Sequence, residues 1–225
     1  MTEVVVVTGA GGALGSAVVA EFLAAGQEVV AVRAHPPRDG GGPAGRVHHV
    51  TADLADRSAV RAAWERIDGY GTPRALVNVA GGFAPGSLAD TDERTLRSML
   101  DINVATTLWS CQAAAPRLQA RGGGAIVNIG ARNAVEGGGP VAYAVAKSAV
   151  VRLTQVLARE LKPQRIRVNA LLPSTIDTPA NRAALSAESM RRAVPPAAIA
   201  KVVTFLCSDD AWPISGAVIP VYGQG

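Results

Sequence analysis

The chain has 225 residues, 48% of them hydrophobic and only 4% aromatic, and its 22 Lys and Arg against 18 Asp and Glu leave a formal net charge of +4. That size and apolar content describe one globular domain and exclude a disordered chain. The arginines are scattered among acids without a basic tract, which argues against nucleic acid, and no run of about 18 uninterrupted apolar residues suggests a membrane span.

Val4 to Val7 lie in a β-branched run at 3–8, read as a buried strand; without a basic stretch before them they do not read as a signal peptide. A cytoplasmic protein is expected. The turn Thr8-Gly9-Ala10-Gly11-Gly12-Ala13-Leu14-Gly15 follows, then a helix at 13–25 with Leu14, Val18 and Phe22 at helical spacing, closed by Gly26, and a second strand at 28–33. This is a βαβ unit. The segment AHPPRDGGGPAG from Ala34 to Gly45 cannot sustain a helix and is expected to be a mobile loop beside the adenosine end of a dinucleotide; it reads equally as a length-tolerant connection with no role. Further strands are predicted near 47–51, 74–79, 124–129, 165–171 and 216–222, and helices near 56–67, 92–120, 140–161 and 195–208. Short apolar strands alternating with helices predict an α/β Rossmann fold spanning 1–225, a doubly wound seven-stranded parallel sheet with helices on both faces. Cys111 and Cys207 fall within helical patterns far from any Cys/His cluster, so they read as structural thiols, with no metal site and no disulfide framework.

The glycine-rich turn lies directly between a strand and a helix, where the backbone can approach a pyrophosphate and the helix N-terminus offers free N–H groups. Its spacing departs from G-x-G-x-x-G, because Leu14 stands where the third glycine would fall. Other pieces follow in order. Asp53 and Leu54 come after the third strand, Asn78-Val79-Ala80-Gly81 ends the fourth, Asn103 lies within the long helix, Tyr143-Ala144-Val145-Ala146-Lys147 opens another, and Pro173-Ser174-Thr175-Ile176-Asp177-Thr178 follows the sixth strand. A tyrosine and a lysine four apart share one helix face, and an ammonium beside a phenol is expected to draw its pKa down towards a useful range.

In this order the set closely resembles the short-chain dehydrogenase/reductase family, from about Val4 to Tyr222. The resemblance implies a cofactor cradle of Thr8, Gly9, Gly11, Gly12, Ala13, Leu14 and Gly15. It also implies Asp53 and Leu54 at the adenine, Asn78 steadying the sheet, Ala80 and Gly81 passing close to the cofactor, and Pro173, Ile176 and Thr178 at the nicotinamide carboxamide. Taken singly, Asp53 could be a helix cap and Thr178 a turn residue. Tyr143 is the implied general acid, Lys147 the partner that also grips the ribose, and Asn103 the holder of a water linking the lysine to solvent. The second strand ends on Arg33 rather than an acid, which favours NADP(H) over NAD(H), with His35 and Arg38 adding positive charge; the competing reading makes Arg33 a solvated strand-end residue. The family's usual serine is missing: Gly130 and Ala131 stand where that hydroxyl is expected.

The run at 12–16 and the segment 172–182 also resemble dihydropteridine reductases and related bacterial members, which keep the Tyr and Lys but have alanine for the serine. These features lead to a reductase acting on an activated carbonyl, quinonoid or iminium substrate. The alternatives are non-redox chemistry on the same scaffold, as in a cyclase or dehydratase, and a non-catalytic cofactor-binding protein. Residues 179–194 leave room for one small lid helix over an open pocket that Arg132, Asn133, Arg182 and Phe83 could line. A homodimer or homotetramer is expected from the family's habit of pairing its long helices.

Overall fold

The computed structural model describes residues 2–36 and 46–223. Most of the Pro/Gly-rich loop, Arg38 included, lies outside the described residues. Seven strands form one parallel sheet in the order β3-β2-β1-β4-β5-β6-β7. They are β1 (Glu3–Thr8), β2 (Glu28–Arg33), β3 (Val47–Thr51), β4 (Thr72–Asn78), β5 (Gly124–Ile129), β6 (Ile166–Pro173) and β7 (Val218–Val221). The order reverses between β1 and β4, and the crevice beyond the carboxyl ends of those strands is where this class of sheet binds ligands.

Alternate β1 side chains serve opposite layers, as the two-residue period of a strand requires. Val5 and Val7 pack with helices α1 (Ala13–Ala24) and α8 (Pro196–Cys207) through Val18, Phe22, Val203 and Leu206. Val4 and Val6 belong to the other layer, with Trp64 and Ile67 of α2 (Arg57–Ile67) and Leu118 of α4 (Thr106–Arg121). Both faces of the sheet are therefore covered, and the expected single Rossmann domain is what the chain forms. Asp56 caps α2 by accepting from the Ser58 and Ala59 N–H groups, and Asp92 caps α3 (Glu93–Leu100) by accepting from Thr95. The 20-residue α5 (Val141–Glu160) is long and apolar enough to cross a bilayer by length and composition, yet its Ala146, Val150, Thr154 and Ala158 are buried in the domain.

Two elements differ from the sequence expectation. The predicted continuous helix at 92–120 is interrupted by a π-helical stretch, Asp101–Ala105, between α3 and α4. Side chains there compete for helical carbonyls: Asn103 Nδ2 donates to Met99 O, Thr106 Oγ1 to Ile102 O and Thr107 Oγ1 to Asn103 O. Such bonding to the carbonyl four residues back opens a helix locally. Residues 179–194 hold two short helices rather than one, α6 (Pro179–Ala184), capped by Thr178, and α7 (Ala187–Arg191), capped by Ser186.

Candidate active site

The chain leaves β1 through Gly9, whose φ of +64° lies in the left-handed region. A methyl on Gly9 would fall 2.6 Å from Ala80 N, and one on Gly15 would fall 2.2 Å from Gly9 O. The glycines thus bring the turn, α1 and the end of β4 into direct backbone contact. Thr8, Ala10 and Leu14 are buried and work from behind: Thr8 Oγ1 accepts from the Val79 and Ala80 N–H groups at 3.2 Å each, tying β4 to β1. Gly11 and Gly12 are exposed and Ala13 half-buried, on the open side of the turn.

A cleft of about 960 Å³ opens beside this turn, lined by Gly9, Ala34, Asp53, Leu54, Ala80 and Gly81, and closed opposite by residues of α3 and the π-helical stretch, including Ile102. Asp53 Oδ1 accepts from Ala55 N at 2.9 Å, so the carboxylate does the work of a turn cap while lining the cleft. Arg33 reaches towards the turn: its Nη1 lies 4.0 Å from where a methyl on Gly11 would stand. Its Nε is buried without a hydrogen-bond partner among the described residues, an arrangement that a bound acceptor would relieve. His35 is exposed.

Deeper in, a buried polar chain links the sheet to α5. Asn78 Nδ2 donates to Asn128 Oδ1 at 2.9 Å, and Asn128 Nδ2 donates to Thr154 Oγ1 at 2.9 Å. The sequence reading named Asn78 but missed Asn128 and Thr154; the signal for Asn128 was an amide in the middle of an otherwise apolar strand. Asn103 is buried and clasps the loop after β4, accepting from Gly82 N at 3.2 Å and donating to Gly82 O at 3.1 Å. Gly81 is squeezed in between: a methyl there would lie 2.7 Å from Asn103 Oδ1 and 3.3 Å from Lys147 Nζ.

Tyr143 and Lys147 stand on the first turns of α5. The lysine is buried, and its Nζ donates to Ile129 O at 2.8 Å and lies 6.0 Å from the Tyr143 ring centroid. Here the electrostatic expectation is corrected. Burial pushes the Tyr143 phenol up to about 12, and it pushes the Lys147 ammonium down to about 8. Loss of water penalises both charged forms, and the ammonium hydrogen bonds to a backbone carbonyl rather than drawing the phenol down.

The lysine shift carries a stability consequence. Between the folded value of about 8 and the ordinary 10.5 the unfolded chain holds more protons, so this group makes stability rise with pH across that window, and below it the buried charge is a full cost. The shift corresponds to about 3 kcal/mol, against about 1.5–3 kcal/mol for a hydrogen bond from a charged group such as that to Ile129 O. Lys147→Met is therefore expected to raise the thermal midpoint of the ligand-free protein by roughly 2–5 °C near pH 7. Melting curves across pH check this, and the gain should vanish as pH approaches 10.5.

Ala131 is buried in extended backbone (φ −160°) just before a short 3₁₀ turn, Arg132–Ala134, and has no hydroxyl to offer. A side chain at Gly130 would have to displace Leu172, whose Cδ2 lies 2.5 Å from where a Cβ would stand. Among the expected pocket residues, Asn133 is engaged elsewhere: its Nδ2 donates to Gly138 O at 3.1 Å. Arg132 pairs with Glu136 and stacks over Tyr222 at 5.3 Å. Arg182 is paired with Asp177, whose carboxyl it holds below the usual carboxylate range. Pro173 ends β6, Ile176 bridges to Val194, and Thr178 accepts from Asn181 N at 3.1 Å, so its hydroxyl caps α6. Phe83 is exposed beside Tyr143.

Comparison with known proteins agrees with this architecture. Residues 3–189 match the short chain dehydrogenase family. D-xylose 1-dehydrogenase of Caulobacter vibrioides is 32% identical over 224 residues, covering 92% of this chain and 89% of that one. The 3-oxoacyl-[acyl-carrier-protein] reductase MabA of Mycobacterium tuberculosis is 32% identical over 229 residues, covering 97% and 91%. The ligand-free aldohexose dehydrogenase of Thermoplasma acidophilum superposes with a TM-score of 0.88 at 28% identity, over 98% of this chain and 92% of that one.

Proposed function

The chain belongs to the short-chain dehydrogenase/reductase family, and from that premise we propose that it is an NADP(H)-dependent reductase of activated carbonyl, quinonoid or iminium substrates. That it is an oxidoreductase of this family acting on a small molecule with NAD(P)(H) follows from the relatives; the cofactor preference, the acid and the substrate class are our reading. The observation that carries it is the Tyr143–Lys147 pair, the tyrosine half-buried and the lysine buried against Gly81, which itself lines the cleft walled by Asp53, Leu54 and the Gly9 turn. The backbone approach enforced at Gly9 and Gly15, the size of the cleft and an Arg33 Nε without a partner among the described residues all suit a dinucleotide. When bound, the nicotinamide supplies the hydride. The amides of Ala13 and Leu14, in the first turn of α1, would hold the pyrophosphate, Arg33 the 2′-phosphate, Lys147 the ribose, and Ile176 and Thr178 the carboxamide.

Tyr143 then donates its proton to the oxygen or nitrogen on which negative charge develops. A phenol pushed up to about 12 is fully protonated near neutral pH, the state that reduction needs. Ala131 decides the substrate class. Without a hydroxyl beside the phenol the site forgoes a donor worth about 2.7–4 kcal/mol in the transition state, so a substrate that is already electron-poor suits it best.

Ala131 also favours a second reading, non-redox chemistry on this scaffold. The experiment that separates the two follows NADPH consumption by wild type and Ala131→Ser. Electron-poor dicarbonyl or quinonoid compounds are expected to be reduced by both proteins. Simple ketones are expected to be reduced poorly by wild type and up to about 10²-fold faster by the variant. If neither protein consumes NADPH with either class, the reductase reading is wrong and the non-redox one replaces it. For the cofactor, Arg33→Ala is expected to weaken NADPH by about 10–100-fold, the worth of charge-assisted hydrogen bonds, while leaving NADH unchanged. Calorimetric titration of both cofactors checks it, and tighter NADH binding by wild type would count against Arg33 as the selector.

The reading extends to setting and assembly. The free buried thiols Cys111 and Cys207 support a cytoplasmic home, and Val145 and Val156, exposed on α5, support pairing of that helix in a homodimer or homotetramer.

A further inference from the structure

Phe83 is 63% exposed, and the ring contact it makes is with Tyr143: the centroids are 5.1 Å apart and the planes meet at 67°. The backbone carrying it is fixed. Both the N–H and the carbonyl of Gly82 are bonded to the buried Asn103 amide, and a methyl on Gly82 would meet Ile102 Cδ1 at 3.0 Å. Tyr143 itself packs against an apolar cluster of Met99, Ala142 and Ala146, with Ala84 at its edge. The polar groups that could otherwise hold a substrate here are engaged or missing: Ala131 has no hydroxyl, Asn133 is bonded to Gly138, and Arg132 is paired with Glu136. Beside the phenol stand the Lys147 ammonium, bonded to Ile129 O, and one open aromatic ring, that of Phe83.

We propose that Phe83 is the specificity-determining residue of this site, and that its ring face holds a planar, conjugated substrate by stacking so that the reducible atom lies at the Tyr143 hydroxyl. The proposal rests on the reductase reading for the role of Tyr143 and adds the shape of the substrate. A flat π-system gains from offset stacking on an open ring. A globular aliphatic compound of the same reactivity gains far less. Stacking also supplies orientation where the missing hydroxyl does not.

Isatin and camphorquinone are suitable probes, because both are bicyclic vicinal dicarbonyl compounds, the first flat and conjugated, the second globular and aliphatic. Each is titrated calorimetrically into the full-length protein saturated with its oxidised cofactor, so that binding is read without turnover. Phe83→Ala is expected to raise the Kd for isatin by about tenfold, the loss of one stacking contact, and that for camphorquinone by less than about twofold. Phe83→Trp should bind isatin at least as tightly as wild type. Equal losses for both probes, no loss for isatin, or no binding of isatin to wild type would overturn the proposal. NADPH consumption measured in parallel keeps the two readings apart. Isatin binding that depends on Phe83 without any reduction sinks the reductase reading alone, and reduction indifferent to Phe83 sinks only this inference.

Discussion

Replacing Tyr143 with phenylalanine is expected to lower kcat by about 10²–10⁴-fold while the cofactor dissociation constant stays within about twofold, because the substitution removes the transferable proton and little else. The ring keeps its edge-to-face contact with Phe83 and its place beside Met99, Ala142 and Ala146, so the folded structure should survive intact. Lys147→Ala should harm both quantities, since that ammonium is proposed to serve the ribose as well as the phenol. Single-turnover rates together with calorimetry distinguish the outcomes. A Phe variant that kept most of its kcat would remove Tyr143 from its role as acid.

The second large effect is expected at Gly15. An alanine there puts its methyl 2.2 Å from Gly9 O, 2.7 Å from Gly9 C and 2.9 Å from Ala10 Cα, all backbone atoms that cannot swing aside. Helix α1 must move away from the turn. Overpacking of this kind costs roughly 1–3 kcal/mol, which for a domain of this size lowers the melting temperature by roughly 2–12 °C. Because the displaced turn is also the proposed pyrophosphate cradle, cofactor affinity should fall at least about tenfold. Gly12→Ala is the internal control for stability. Its methyl would stand 3.5 Å from Gly9 O in ordinary contact, and its φ of −83° suits any residue, so its melting temperature should match wild type. Equal melting temperatures for wild type and Gly15→Ala would mean that the turn is not held by this contact.

Much of the fold was legible because its signals are local. The valines from 4 to 7 carry no alternation of polar and apolar residues, which is how a strand covered on both faces reads, and both faces are covered. The order of the glycine turn, Asn103, Tyr143 and Lys147 was legible for the same reason. The π-helical stretch was not, since it depends on Asn103, Thr106 and Thr107 choosing helical carbonyls over solvent, a choice their spacing alone does not reveal. The direction of the Tyr143 shift was missed because burial is a property of the assembled crevice. A pair four residues apart shows that two groups are neighbours, whereas the water that is excluded from them depends on elements far away in the chain. The engagement of Asn133, expected to line the pocket, was hidden for a similar reason: its partner, the Gly138 carbonyl, belongs to loop geometry that five residues of sequence leave open.

The crowding around Gly81 bears on how such a protein can change over generations. A methyl at position 81 would press on the Asn103 amide and approach the Lys147 ammonium, two groups that are themselves buried and bonded. Substitutions at these positions cannot be independent, because residues in contact couple their effects. A lineage that enlarged residue 81 first would have to tolerate a displaced asparagine or lysine, whereas one that first shortened residue 103 would free the space but release the loop carrying Phe83. Every first step passes through a protein impaired at one end of the site.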